Sequence, residues 1–537
     1  MDDETADETD DETADETADE TIVLTTTRII RNLYRDSITL LQIATTLTKR
    51  DGIAQAGAVM ASDANIALMI DAGLIDSAPE AGPNDLLIIV QGSDEEAVET
   101  ALQAAESALE PTPETTGSES APRTPRSITM ALGEMPDAAL ALIATPGDYA
   151  AAEARKALNL GLHVMMFSDN VDLADEIALK KLAGARGLMM MGPDCGTAII
   201  NGVPLGFANA VRRGDIGLVA ASGTGLQQVS CLIHAMGAGV SQAIGVGGRD
   251  LKSEVGGVTM LQGLAALASD PETKVIVLIS KPPAPEIAER LVAAAGRIDK
   301  PVVINFLGIN VLGRANTDLP GVSVANTLED AARIAVSLTK TTADSDFPVA
   351  DDGLSRPGFA DGQRFIRGLY TGGTFSYEAL TLFDAAGQPA YSNVPLRDGQ
   401  KLADAWHSQD HTILDLGEDL FTRGRSHPMI DPRLRHDRVL QEAADGRVAV
   451  ILFDVVLGYG AHPDPAGIMA VSITEARDIA ERDGRAIAFV GSLCGTGDDP
   501  QDLSDQTAKL RDAGAILLPS NARAVQTALG LIPEARS

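Results

Sequence analysis

Two glycine-rich turns, Ser222-Gly223-Thr224-Gly225 and Thr371-Gly372-Gly373-Thr374, each join an apolar stretch to a segment with helical spacing of its apolar residues. A helix start exposes N–H groups that lack intrahelical partners, its dipole favours negative charge, and glycine lets the backbone approach a ligand. Ser222, Gly223, Thr224, Gly372, Gly373 and Thr374 are therefore candidate phosphate ligands, although the same turns also read as ordinary strand-to-helix corners capped by Ser or Thr. Arg423, Arg425 and His427 place three cation-capable groups within five residues around a glycine. Arginine presents a planar donor fork to a carboxylate or phosphate, and histidine can move a proton near neutral pH. The alternative is that these arginines pair with Glu418, Asp419, Asp431 or Asp437. Asp454, which ends an apolar run just before Gly458-Tyr459-Gly460, joins them as a catalytic candidate. Asp194, Arg249 and Lys281 fall in loops predicted to follow strand ends, and are candidate ligand contacts.

Strand-like runs at Ala138–Ile143, His163–Phe167, Gly187–Met191, Ile216–Ala220, Ala243–Val246, Val275–Ile279 and Val302–Phe306 are mostly separated by helical segments, which predicts parallel sheets covered on both faces. Ligands of such sheets lie beyond the C-terminal strand ends, where the candidate loops fall. Residues 21–110 predict a small α/β domain with strands 22–34, 55–60 and 85–91, and residues 363–537 predict a third α/β region with strands near 365–370, 412–415, 448–455, 486–490 and 515–518. Residues 111–127 and 341–362 read as linkers, rich in Pro, Ser, Thr or charge.

The chain has 537 residues, 45% of them hydrophobic, enough for several cores. No apolar run approaches the length of a membrane span and no basic-to-apolar leader is present, so a cytoplasmic protein is expected. The net charge of −34 argues against nucleic acid as a partner. Residues 1–20 hold 12 acids and no base and read as a disordered tail, yet the rest of the chain still carries −22. With only 11 lysines among 42 basic residues, this surface resembles proteins of salt-loving organisms. Cys195, Cys231 and Cys494 have no metal-ligand or CxxC spacing, and no metal site is expected. Cys195 is expected to be a small buried filler. No GxxxxGK[ST], complete GxGxxG, HExxH or GxSxG motif occurs.

The segments MMFSDN (165–170), MGPDCGT (191–197), FANA (207–210), ASGTGLQ (221–227), GVGGRDL (245–251), SKPP (280–283), GLYTGGT (368–374), ILDLGEDLFTRGRSHPMIDP (413–432) and DVVLGYGAHPDP (454–465) closely resemble the FdrA family over about residues 28–533. That family is similar in turn to ADP-forming succinyl-CoA synthetase. The resemblance implies a Rossmann-like CoA-binding-type region at 128–210 and two flavodoxin-like CoA-ligase-type domains at 211–340 and 363–537. It also implies that Ser222-Gly223-Thr224 and Gly372-Gly373-Thr374 form a two-helix phosphate clamp. The synthetases carry a phosphorylated histidine after a strand matching Val302–Phe306, where this chain has Leu307-Gly308-Ile309-Asn310-Val311-Leu312-Gly313. They also carry a glutamate where Ser280-Lys281 stands, and their ATP-grasp module has no counterpart here. The implied activity is a subunit of oxamate carbamoyltransferase, turning oxalurate and phosphate into oxamate and carbamoyl phosphate during allantoin and purine breakdown. No cofactor is certain; CoA remains open. The expected partners are small-molecule substrates, separately encoded subunits and a second copy of the chain. The alternatives are an ADP-forming acyl-CoA synthetase subunit and a noncatalytic scaffold.

Overall fold

In a computed structural model the described residues are 24–33, 35, 37–50, 52–109, 125–309, 319–339, 358–422 and 426–532. The acidic leader, most of both expected linkers, Arg423, Arg425 and residues 310–313 of the loop after Val302–Phe306 lie outside them. The chain divides into two compact units, with the boundary near residue 122.

The N-terminal unit carries β1 (Leu24–Ile30), β2 (Ile53–Met60) and β3 (Leu86–Gly92), paired antiparallel in the order β1-β3-β2. Leu86 to Val90 are fully buried in the central strand, and Val98, Ala101, Leu102 and Ala105 of helix Glu95–Leu109 pack on one of its faces. Their spacing of three and four residues is that of a helix with a single apolar stripe.

The larger unit holds three sheets. The first is short and parallel: β4 (Leu140–Ile143), β5 (His163–Met166) and β6 (Met190–Met191), with helices Gly147–Asn159 and Leu173–Ala185. In the second, a hairpin of β7 (Thr197–Ile200) and β8 (Val203–Gly206) flanks five parallel strands, β9 (Arg213–Ala220), β10 (Val240–Gly245), β11 (Val275–Ser280), β12 (Val302–Phe306) and β13 (Val322–Val324). Their order is β13-β12-β11-β9-β10-β7-β8. The third sheet has β14 (Phe365–Tyr370), β15 (Thr412–Asp415), β16 (Val448–Val456), β17 (Ala488–Cys494) and β18 (Ile516–Leu518) in the order β15-β14-β16-β17-β18. Within each large sheet the parallel strands run 2-1-3-4-5, the flavodoxin-like order, whose switch point lies between the first and third strands. β11 and β16 are buried along their whole lengths, as central parallel strands rich in Val, Ile and Leu require.

The two large sheets share one core. Helix Gly223–Ala235, which follows β9, packs against helix Gly373–Ala385, which follows β14, and helices Leu328–Ser337 and Asn521–Leu531 complete the layer. Leu226, Val229 and Ile233 meet Phe375, Ala379 and Phe383 in this core, all fully buried. Removing each large side chain from water is worth about 1.5–3 kcal/mol. This packing fixes the two helix starts beside each other.

A polar clamp reinforces it. Asp499, 5% exposed, accepts hydrogen bonds from Asn209 Nδ2 (2.7 Å), the Ala210 N–H (2.7 Å) and the Thr496 N–H (2.8 Å), while Asn209 also donates to the Leu457 carbonyl (3.0 Å). The FANA segment is thereby tied to the third sheet. Asp499→Ala leaves three donors without their acceptor and is expected to lower stability by about 2–4 kcal/mol, read as an earlier denaturant transition.

Candidate functional site

Ser222 caps helix Gly223–Ala235 from extended backbone, its Oγ accepting from the Gly225 N–H at 2.9 Å. Gly372 does the same for helix Gly373–Ala385 without a side-chain cap. The helix starts touch: the hydroxyls of Ser222 and Thr374 are hydrogen-bonded, and a Cβ on Gly372 would lie 2.9 Å from Thr224 Cγ2. Glycine at 372 is what permits this approach.

Asp454 stands beneath the second turn. Its fully buried carboxylate accepts from the Thr371 N–H (2.8 Å), Thr371 Oγ1 (2.9 Å) and the Gly372 N–H (2.9 Å), and pairs with Arg435 Nη1 at 3.2 Å. With its oxygens so engaged, Asp454 braces the turn; the geometry gives it a positioning part rather than the catalytic one expected from sequence.

Lys281, directly after β11, lies at the same junction. The point where a Cβ on Gly373 would stand is 3.0 Å from Lys281 Nζ and in contact with Asp415 Oδ2. Among the described residues Lys281 forms no ion pair. Asp415 ends β15 and is 3% exposed; the Gly417 N–H donates to its Oδ1 at 3.0 Å, and Asn393 Nδ2 donates to its backbone carbonyl at 2.9 Å. Burial pushes Asp415 up to about 6, with Lys281 opposing and Glu418 and Asp454 adding.

Asp194 faces Lys281 from the loop after β6, in left-handed backbone at φ 55°. Its side chain reaches solvent at one side but is otherwise walled by protein. That burial, aided by Asp169 and opposed by Lys281, pushes it up to about 7. Arg249 is a neighbouring charge but is already committed: its Nε pairs with the buried Glu176 at 2.9 Å and its Nη2 donates to the Val171 carbonyl at 2.7 Å. Of the expected ligand residues, Arg249 is thus held in the wall.

His427 packs its ring against Phe207 at 5.8 Å, and Phe207 in turn lies 5.3 Å from Phe167. The Met429 N–H donates to His427 Nδ1 at 3.2 Å, so the ring's proton sits on Nε2, the atom nearest Gly417. Burial lowers its pKa to about 4. The expectation that His427 moves a proton near neutral pH therefore narrows: at that pH it is a neutral N–H donor. Cys195 is buried, with its thiol pushed up to about 12, as a filler residue should be.

The structure thus brings Ser222, Gly223, Thr224, Gly372, Gly373, Thr374, Lys281, Asp194 and His427 into one neighbourhood, where hydroxyls, first-turn N–H groups and an ammonium can hold a phosphoryl group or another oxyanion. Asp415 escaped the sequence reading. Its signal was an acid closing the run Thr412-Ile413-Leu414; Asp454, expected to end its strand, instead lies inside β16, which continues to Val456. Because the folded pKa of Asp415 lies above its unfolded value of 3.8, its favourable contribution is complete below pH 3.8 and is lost as pH rises through about 6. Asp415→Asn is accordingly expected to gain stability relative to the parent chain between pH 4 and 7, by on the order of 1–3 kcal/mol, measurable by denaturation across that range.

Three family models match the chain: "AllF, heavy metal-associated domain" over residues 23–125, "CoA binding domain" over 211–308, and "CoA-ligase" over 369–531. The second falls on the segment expected to be CoA-ligase-like rather than on 128–210. Residues 23–125 contain neither Cys nor His, so the donor set does not fit a thiophilic metal, and no described residues cluster as a metal site. No described helix is long and apolar enough to cross a membrane. The succinate–CoA ligase [ADP-forming] subunit alpha of Aquifex aeolicus is 29% identical over 174 residues, covering 31% of this chain and 56% of that one. A dinucleotide-forming acetyl-coenzyme A synthetase 1 of Candidatus Korarchaeum cryptofilum, solved with phosphate and ADP, is 15% identical over 73% of this chain and 82% of its own, at a TM-score of 0.31, too loose to carry an argument. The YahF protein of Escherichia coli K12 is 42% identical over 498 residues, 91% of this chain and 95% of that one. The chain therefore belongs to the YahF family, succinyl-CoA synthetase-like proteins in which an AllF-type domain precedes CoA-binding and CoA-ligase domains.

Proposed function

We propose that this chain is the phosphate-holding subunit of an FdrA-type oxamate carbamoyltransferase, a cytoplasmic complex that converts oxalurate and phosphate to oxamate and carbamoyl phosphate in allantoin breakdown. The observation that carries the reading is Lys281: in a protein with 76 acids against 42 bases, its ammonium forms no ion pair among the described residues where two helix starts meet. Ser222, Thr224 and Thr374 supply hydroxyls around it, and the first-turn N–H groups of Gly223 and Gly373 add donors. His427 offers Nε2–H to the oxyanion that develops on the attacked carbonyl, and Arg423 and Arg425 grip the substrate carboxylate. Residues 302–313 contain no histidine, which suits direct transfer without a phosphohistidine. The matched Aquifex relative is a subunit by name, and activity here is read as requiring separately encoded partners.

The CoA-binding and CoA-ligase matches favour a second reading, an ADP-forming acyl-CoA synthetase subunit in which the same donors hold a phosphoryl group. Carbamoyl phosphate formation from oxalurate and phosphate at high salt, assayed with the chain alone and with the proteins encoded beside it, separates them. The proposal expects product only in the mixture; CoA-dependent ATP turnover without carbamoyl phosphate transfers the assignment to the synthetase. Within the active mixture, Lys281→Met and Gly373→Ala should each raise KM for phosphate about 10-fold or more, the first by removing the cation and the second because its Cβ would collide with Asp415 Oδ2 and crowd Lys281 Nζ. An unchanged KM in both would remove the cradle from phosphate binding.

A further inference from the structure

Besides Asp194, which is open to solvent, the phosphate cradle contains a buried carboxyl that phosphate binding does not ask for, that of Asp415. Three contacts fix it: the Gly417 N–H on Oδ1 at 3.0 Å, Asn393 Nδ2 on the backbone carbonyl at 2.9 Å, and the Asp415 N–H on Asn393 Oδ1 at 3.0 Å. Its other oxygen, Oδ2, accepts no hydrogen bond among the described residues, although the residue is 97% buried. Oδ2 and Lys281 Nζ both close on the place where a side chain at Gly373 would begin, which is the entrance of the second helix. A bare carboxylate at that position would repel the bound phosphate; a protonated one presents an O–H to it. Asp454, the nearest acid below, is occupied by Thr371, Gly372 and Arg435 and has no oxygen to spare for the cleft.

We propose that Asp415 is the acid that protonates the leaving nitrogen during transfer, with Oδ2 as the reacting atom and Asn393 and Gly417 as its positioning partners. The inference rests on the carbamoyl-transfer reading above. An oxygen of hydrogenphosphate forms a bond to the carbamoyl carbon, the C–N bond to the oxamate portion breaks, and its electron pair passes to nitrogen. The Oδ2 proton moves to that nitrogen, and the proton carried by hydrogenphosphate returns to the Asp415 carboxylate. No oxidant, reductant or further co-reactant takes part. The charged and titratable groups around this carboxyl are Lys281 from the loop after β11, Glu418 beyond β15, Asp454 from β16, Asp194 across Lys281, and His427 across Gly417. Burial already favours the protonated form, and a bound phosphate dianion favours it further.

Two carbamoyl donors separate this part from a structural one. Oxalurate leaves through nitrogen and needs a proton; 4-nitrophenyl carbamate leaves as a stable phenolate and does not. In the assembled complex, Asp415→Asn is expected to lower kcat with oxalurate by about 10²- to 10³-fold, the usual worth of a positioned acid. Turnover of the aryl carbamate should fall at least about 10-fold less than that of oxalurate, and Asp415→Glu should restore part of the oxalurate rate. Equal losses on both donors, or undiminished oxalurate turnover in Asp415→Asn, would overturn the assignment while leaving the carbamoyltransferase in place. A parent complex that makes carbamoyl phosphate from neither donor would overturn the functional reading itself, and this inference with it.

Discussion

The hydrogen-bonded meeting of Ser222 and Thr374 is the constraint on which the rest of the site depends. Two helix starts brought together set like partial charges side by side, an arrangement that electrostatics alone would drive apart. Apolar packing overrides it: the helices behind these turns bury Leu226, Val229, Ile233, Phe375, Ala379 and Phe383 in a common core. Two carboxyls sit close beneath the turns as well. Asp454 spends its negative charge on the Thr371 and Gly372 N–H groups and on Arg435, while Asp415 lies against the Gly373 position beside Lys281. The exposed first-turn N–H groups thus favour an anion, and the core behind them holds the two turns together.

The acids around Lys281 divide into two kinds. Asp454 is buried and fully bonded. Asp415 is buried with fewer partners and Asp194 stands with one side open to solvent; desolvation by the surrounding protein raises their carboxyls to about 6 and about 7. A group poised in that range can carry a proton at neutral pH without being permanently neutral, which is the property acid–base chemistry needs. His427 has moved the opposite way. Its burial among Phe207 and the Gly417 turn holds it neutral, so the cleft contains an acid that titrates and an imidazole that donates without titrating. Sequence reasoning assigned proton transfer to the histidine because free imidazole titrates near neutrality. The proposed assignment moves that part to an aspartate.

What the sequence reveals follows from how locally each feature is encoded. Val275–Ser280, Val302–Phe306 and Phe365–Tyr370 were legible because a parallel strand covered on both faces must be apolar throughout. The two glycine turns were legible because helix starts have their own residue grammar, and the structure places both together. The β7–β8 hairpin was missed even though Asn201-Gly202 takes positive φ at both residues, 52° and 81°, the signature of a tight two-residue turn. Between so many βαβ units, one antiparallel pair left no mark in the apolar pattern. Arg249 illustrates the opposite limit: its loop position was correct, but its commitment to Glu176 and Val171 depends on helix Leu173–Ala185, about 70 residues earlier in the chain.

The strong acidity of the chain sharpens the meaning of this cleft. A net charge of −34 sets up a field that disfavours approach of phosphate or a carboxylate substrate from a distance, and salt weakens that field because the Debye length falls to about 3 Å near 1 M. Contacts inside the cradle are much less screened, since the donors there lie within hydrogen-bonding reach and partly out of water. On the proposed reading, recognition then comes from close-range donors rather than from steering. Fixed hydroxyls, first-turn N–H groups and one ammonium meet that requirement where a diffuse basic surface would not, because a basic surface on this protein would be neutralised by its own carboxylates. Among the described residues, buried cations of the larger unit are paired: Lys180 with Glu176 and Asp250, Arg367 with Glu442 and Asp445, Arg435 with Asp454. Lys281 departs from the pattern at the junction of two helix starts. A carboxylate paired with it would cancel its attraction for an anion; among the described residues neither Asp194 nor Asp415 forms an ion pair with it.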